Sequence, residues 1–398
     1  MQQYSKRHQS KPYRYPFHAL KTPPLTTSVF YPLDGYPAEI VTGAAGRIGH
    51  VMRLSLPQVR LEHLQHLLTP LGIWQHTRYA EPWVEYGFSI DDQARGLIVG
   101  AWLYRLAPQQ PEWLALPDET LPGRLIEVCL DYIEAAQLEN GRFHNFRDAE
   151  GNWLDEVGSE DSHGRTVWGL QTLVQLLPDT DWARRAQPIL ERALTHARAI
   201  RSPRAIAFMA LADENHLRLL HWGRELAELY EATRAPEWRW FENSLTYENP
   251  RLPQALLLCG VRTRTPQWIK LVREAFEFLA ETTFAETGYF NAVGNHGWYV
   301  RGKSRALFDQ QPVCAGATVE AFLDAWQVFD QYKPFLQYAA RALMWYHGDN
   351  IHHLSVYDPE TGVVYDALTA TGVNLNRGAE SVLSYLLARI KWELYTRR

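Results

Sequence analysis

The sequence predicts an all-α chain folded as an (α/α)6 toroid, a six-hairpin barrel with an inner and an outer ring of helices. Three observations lead there. From about residue 55 onward, apolar residues recur at three- and four-residue spacings almost to the end of the chain. Two kinds of helix alternate six times, and long polar connections precede mostly one of the two kinds. With 398 residues and 46% apolar content, the chain can bury a large core, and closed barrels of this length often form one unit.

Residues 1–54 read as an irregular N-terminal extension leading into a barrel domain over 55–398. The extension is polar, aromatic and proline-rich and lacks the apolar run of a secretory signal. Within it, Glu39-Ile40-Val41 and the turn Thr42-Gly43-Ala44-Ala45-Gly46-Arg47-Ile48-Gly49 imitate the start of a dinucleotide site. Such a site needs a helix next and then a parallel strand ending in an acid about 20 positions on. Here Pro57 interrupts the next run and Leu61 to Leu68 is helical in period, so the glycines read as a turn into the first helix. No cofactor is expected.

Amphipathic helices with a charged face are expected near 59–69, 123–137, 182–199, 216–232, 265–282 and 334–347. Helices richer in Ala, Gly and apolar residues are expected near 91–106, 162–177, 203–212, 251–260, 314–329 and 378–394. The second kind suits an inner ring, where a helix touches neighbours on both sides, and the first suits an outer ring facing water. No strict sequence period appears, which disfavours a regular solenoid. Ring closure rests on the count of six, and an open array of hairpins is the alternative. The long connections, notably 138–161 and 283–313, lead into inner helices, so alternation places them on one rim with the inner N-termini.

A net charge of -5 with interleaved signs favours neither nucleic acid nor an anionic membrane. No apolar stretch approaches the roughly 20 residues that cross a bilayer. Cys129, Cys259 and Cys314 are too scattered for a disulfide framework or a zinc site. A cytoplasmic protein without a metal is expected. The 15 Trp, 20 Tyr and 15 Phe supply rings that pack in a core and also stack on sugars.

Polar motifs gather at the expected rim. Ser89-Ile90-Asp91-Asp92-Gln93-Ala94-Arg95, after Trp83 and Tyr86, fits a capping box, but two carboxylates beside Arg95 exceed what a cap requires. Ser159-Glu160-Asp161-Ser162-His163-Gly164-Arg165 repeats the pattern, preceded by His144, Asn145 and Trp153. In Tyr247-Glu248-Asn249-Pro250-Arg251, Asn249 reads as an N-cap, and Glu248 and Arg251 are weaker ligand-binding candidates. Asn295, His296 and Trp298, then Asp309 and Gln310, resemble polar clamps over stacking rings. Asn376 and Glu380 mark the start of the last inner helix, where a carboxylate also offsets the helix dipole.

Hydrolysing a glycosidic bond needs one acid to protonate the leaving oxygen and a second carboxylate to activate water or attack the anomeric carbon. Asp92 and Asp161 are the leading acid–base candidates, with Asp91, Glu160, Asp309 and Glu380 completing the set. Arg95 and Arg165 would tune these acids. His163, Asn295 and Gln310 would bind hydroxyls, while Trp83, Trp153 and Trp298 would stack on an oligosaccharide or polysaccharide.

In order along 55–395, Gly72-Ile73-Trp74-Gln75-His76, the Ser89–Arg95 and Ser159–Arg165 blocks, Asn249-Pro250-Arg251-Leu252-Pro253, Gly294-Asn295-His296-Gly297-Trp298-Tyr299, Phe308-Asp309-Gln310-Gln311-Pro312 and Asn374-Leu375-Asn376-Arg377-Gly378-Ala379-Glu380-Ser381 resemble an uncharacterised bacterial family of six-hairpin, glycosidase-like toroids. Its members are commonly encoded near, or described as, glycosyltransferases. The resemblance implies the (α/α)6 fold and a sugar-related role and brings no settled catalytic assignment. The pattern places an acid near Cys314, where this chain has Val313-Cys314-Ala315-Gly316.

Two rivals to a hydrolase stand beside it. One is an epimerase or isomerase of the N-acylglucosamine 2-epimerase type, with His144, His163 and His296 available as proton-transfer bases. The other is a non-catalytic glycan-binding partner of a glycosyltransferase. A terpene cyclase would also set Asp-Asp in a helical toroid, but its repeated Gln/Trp motifs are missing from the sequence.

Overall fold

The computed structural model describes residues 54–284 and 288–397, so the glycine turn at 42–49 and the rest of the extension lie outside the described residues. Twelve α-helices appear among the described residues: α1 Glu62–Leu67, α2 Ile90–Leu106, α3 Leu121–Ala136, α4 Glu160–Leu176, α5 Asp181–Thr195, α6 Pro203–Ala212, α7 His216–Thr233, α8 Arg251–Arg262, α9 Pro266–Phe284, α10 Pro312–Val328, α11 Lys333–Met344 and α12 Ala379–Thr396. Even-numbered helices pack in the cycle α2, α4, α6, α8, α10, α12 and back to α2. Odd-numbered helices lie outside them, α3 on α2, α5 on α4, α7 on α6 and α8, α9 on α8, α11 on α10 and α1 on α12. The ring is closed, as an (α/α)6 toroid requires.

The difference between the two kinds of helix is one of burial. All of α2 except Tyr104 and Arg105 is buried, whereas α5 buries only Ala183, Ala186, Ile189, Leu190 and Ala193. Small residues let the inner helices come close. A Cβ on Gly164 of α4 would stand 2.6 Å from the Ala205 carbonyl oxygen of α6, and one on Gly169 would stand 3.0 Å from that of Ala94 in α2.

The first outer helix is shorter than its apolar period predicts. It stops at Leu67, and Leu68–Thr69 pairs instead with Gly72–Ile73 across a turn. Pro70 explains the stop, since it lacks an amide proton and disfavours helical geometry in the residue before it.

Short antiparallel ribbons tie together the segments that lead into the helices. Phe88–Ser89 pairs with Phe146–Arg147, joining the approaches to α2 and α4, and Ser244–Leu245 pairs with Tyr299–Val300. Gln310 bridges to Leu368, linking the approaches to α10 and α12. These bonds hold the inner N-termini on one rim, where the charged motifs lie.

Candidate active site

Ser89 is the N-cap of α2, and its hydroxyl accepts the Asp92 amide at 3.3 Å. The capping box is only half formed, because the Asp92 carboxylate takes the Ser89 hydroxyl at 2.7 Å and turns to Arg95. Arg95, fully buried, donates to Asp92 Oδ1 at 2.6 Å through Nη1 and to Glu380 Oε2 at 2.8 Å through Nη2. One guanidinium thus bridges two carboxylates, one from α2 and one from the first turn of α12, and its planar fork fixes both. Burial raises the Asp92 carboxyl above the ordinary aspartate range; Arg95 opposes that shift, nearby Glu380 adds to it, and Ser89 and His76 also pull it down.

Asp91 pairs with Arg165 of α4. Burial lowers the Arg165 guanidinium to about 9, with Glu248, Tyr247 and Glu380 favouring its charge and Arg251 opposing it. Its guanidinium sits 4.6 Å from the centre of the Phe208 ring. Asp161 accepts the Tyr247 hydroxyl at 2.5 Å and also the Ser202 hydroxyl. Tyr247 in turn lies under Arg204, 4.5 Å from its ring centre, and 6.3 Å from the ring of Trp298. Deeper in the barrel, Arg251 donates to Glu320 of α10 at 2.5 Å and to Gln254 at 2.7 Å, and Lys391 pairs with Asp324 at 2.6 Å. Asp91, Asp92, Asp161, Glu380, Arg95, Arg165 and Arg251, read from four separate segments, therefore form one connected charged cluster.

Other expected site residues lie elsewhere. Glu160 accepts the amides of Arg201 and Ser202 at 2.8 and 2.5 Å, so it closes the approach to α6. His163 is buried against other rings, 5.5 Å from Phe143 and 6.0 Å from His196; burial lowers its imidazole to about 3. It packs as a core histidine. Gln310 is likewise buried and fully committed, donating to Asn291 at 2.6 Å and accepting from Trp345 at 3.0 Å. Asn249 closes a turn with Thr246 at 2.8 Å while Pro250 occupies the N-cap of α8.

Asp309 lies 3.7 Å from the exposed His296, and the Asn295 amide donates to its carbonyl at 2.9 Å. Asn376 accepts the Tyr79 amide at 3.0 Å. Trp83 binds Glu85 at 2.7 Å and meets Tyr86 edge-on at 4.7 Å, whereas Trp153 stacks on His144 at 5.0 Å. Asn145, buried, ties the start of α2 to the end of α3 through its carbonyl, which accepts from Ile90 at 2.8 Å and Tyr132 at 2.9 Å. Cys314, where the family pattern places an acid, is buried in the first turn of α10 and lines a cavity of about 20 Å³ with Asn249, Thr283 and Thr318, room for a single water. The acids on α10 that do reach the cluster are Glu320, bound to Arg251, and Asp324, bound to Gln254 and Lys391.

Sequence reasoning missed His76, Tyr247, Ser202 and Glu320 around this cluster, and Asp366, whose Oδ1 accepts the Gly378 amide at 2.6 Å and the Ser381 hydroxyl at 2.7 Å at the start of α12. Asp366 lies in an irregular stretch with no helical cue, and Glu320 reads as one polar residue in an apolar helix. Among the described residues, no group of three or more His, Cys, Asp or Glu is placed to hold a metal ion, and no helix is long and apolar enough to cross a membrane.

No family model matches the chain, and no curated protein matches it in sequence. Solved structures match its fold. A cellobiose 2-epimerase from Bacillus thermoamylovorans B4167 superposes with a TM-score of 0.64 at 11% identity, covering 85% of this chain and 98% of that one. A D-mannose isomerase gives a TM-score of 0.62 at 10% identity over 84% and 94% of the two chains. A metagenome-derived glycoside hydrolase family 9 endoglucanase gives 0.52 at 10% identity over 86% and 76%. At such identities the likeness is one of fold, the (α/α)6 toroid.

Proposed function

We propose that the chain is a carbohydrate-active enzyme with an acid–base site where α2 meets α12, and that its reaction is hydrolysis of a glycosidic bond in an oligosaccharide or polysaccharide. The observation that carries this reading is the single guanidinium of Arg95 shared by Asp92 and Glu380. Glycoside hydrolysis asks for two carboxyl groups in different states. Asp92, buried and raised, is suited to hold a proton for the leaving oxygen. Glu380 keeps 30% of its side chain exposed, against 6% for Asp92, so it is the carboxylate within reach of water or the anomeric carbon. Asp161, fixed by Tyr247 and Ser202, is assigned with Trp298 to holding the sugar in the next sector.

A second reading, sugar epimerisation or isomerisation, is favoured by the exposed His76, whose charge favours the Asp92 carboxylate, and by the epimerase and isomerase among the fold's likenesses. Incubating the protein with a panel of reducing oligosaccharides in D2O, followed by NMR, separates the readings. New reducing ends without carbon-bound deuterium are the expected result. Deuterium at a sugar carbon would transfer the assignment to epimerisation, and saturable binding without turnover would leave a glycan-binding partner of a glycosyltransferase. Asp92→Asn and Glu380→Gln are each expected to lower turnover by about a hundredfold or more, in the range for removing a general acid or base.

A further inference from the structure

Arg204, in the first turn of α6, is buried and reaches out of its own helix to the segment that leads into α8. Its Nε donates to the Tyr247 carbonyl at 3.1 Å, Nη1 to Glu242 Oε2 at 2.7 Å and Nη2 to Thr246 Oγ1 at 2.7 Å. The guanidinium carbon also lies 4.5 Å from the centre of the Tyr247 ring. One side chain thus grips Tyr247 by its carbonyl and by its ring face.

The segment needs such a hold. Glu248, directly after Tyr247, has a φ of 42°, and Trp298, whose ring lies 6.3 Å from that of Tyr247, has a φ of 58°. Left-handed backbone is unfavourable for residues that carry a side chain and persists only where surrounding contacts over-determine it. Leu245 pairs with Tyr299, so both left-handed residues are tied into one short ribbon.

The start of α6 also serves Asp161 from both sides. Ser202, the N-cap of α6, donates its hydroxyl to Asp161 Oδ1, and Tyr247 donates to Oδ2 at 2.5 Å. A carboxylate has about four acceptor sites, so one on each oxygen is left for a ligand hydroxyl. We propose that Arg204 is a positioning residue that fixes Tyr247, thereby aims Asp161, and so sets the affinity for sugar while the chemical step stays with Asp92 and Glu380. The proposal rests on the reading that Asp161 and Trp298 hold the sugar. A contact that binds substrate and transition state alike shows in KM and not in kcat. Guanidinium suits the task, because its planar fork meets three acceptors in one orientation, which an ammonium on a flexible stem does not.

The test compares Arg204→Met and Arg204→Lys in the full chain with Glu242→Gln, which loosens the same grip from its half-buried end should the Arg204 variants fail to fold. The first readout needs no sugar. The Tyr247 hydroxyl proton, held against a carboxylate and shielded from water, should give a downfield 1H NMR signal that vanishes in Tyr247→Phe. The variants should shift or broaden that signal. A signal unmoved in all of them overturns the proposal, whether or not a sugar is ever turned over. The second readout is kinetic, on the oligosaccharide cleaved fastest in the reducing-sugar panel. Arg204→Met should raise KM about tenfold, the scale of one hydrogen bond to a charged group, with kcat changed by less than about twofold. Arg204→Lys should recover part of that loss, which a general loss of packing would not produce. A fall in kcat at constant KM would overturn the assignment to affinity. Turnover that falls with Asp92→Asn while KM ignores Arg204→Met would leave the acid pair standing and overturn this role.

Discussion

Arg95 shows how one side chain sets the chemistry of its neighbours. It lies fully buried between Asp92 and Glu380, so removing its charge strands two carboxylates at once. Arg95→Met is expected to destabilise the protein by about 3–5 kcal/mol at neutral pH, the cost of breaking a buried ion pair from one side, as read by urea unfolding. Asp92 leads to the opposite expectation. Its carboxyl is raised in the folded state, so the ionised form carries a penalty that builds as pH rises from the ordinary aspartate pKa through the folded one. Asp92→Asn should therefore unfold at higher urea than the parent at pH 7, the gap closing as pH falls below that window. An Asp92→Asn protein less stable at pH 7 would mean that the Arg95 bond outweighs burial. For His163 the sign is the reverse, and the fold is sensitive to acid. Held down to about 3, it is neutral in the fold, and stability is lost as pH drops below 6.5, where the unfolded chain takes up the proton.

Helices were the most legible elements in the sequence, because their signals are local. Ser89 and Ser159 stand at the N-caps of α2 and α4, each accepting the amide three residues on, and the apolar period locates both rings. The misreadings were local too. At α8, Pro250 stands at the cap in place of Asn249, and Pro70 ended α1 early. Glycine also means different things in the two rings. In α4, Gly164 is where the Ala205 backbone touches, so Gly164→Ala should force α4 and α6 apart and cost about 1–3 kcal/mol. In outer α3, a Cβ at Gly123 would meet only the Trp182 ring at 3.6 Å. Gly123→Ala should thus be neutral or stabilising by up to about 1 kcal/mol, and thermal melts of the two variants side by side check the contrast.

Closure of the ring brings the site together. Arg95 and Glu380 are 285 residues apart, and they meet because α12 packs on both α10 and α2. Deleting the chain from Ala379 should expose the facing sides of α2 and α10 and replace one sharp unfolding transition with a broad one, visible by calorimetry. An unchanged sharp transition would mean that the ring is held without its last helix. Sequence alone was enough for the all-α class, the six alternating pairs, the shared rim and the helix starts that supply Asp91, Asp92, Asp161 and Glu380, since period and capping act over a few residues. It was not enough to show that Glu160 turns to the approach to α6, that His163 and Gln310 sink into the core, or that Asp366 anchors the start of α12. Those outcomes depend on the directions in which packed helices and clamped loops aim their side chains, and such directions are set by contacts between segments tens to hundreds of residues apart.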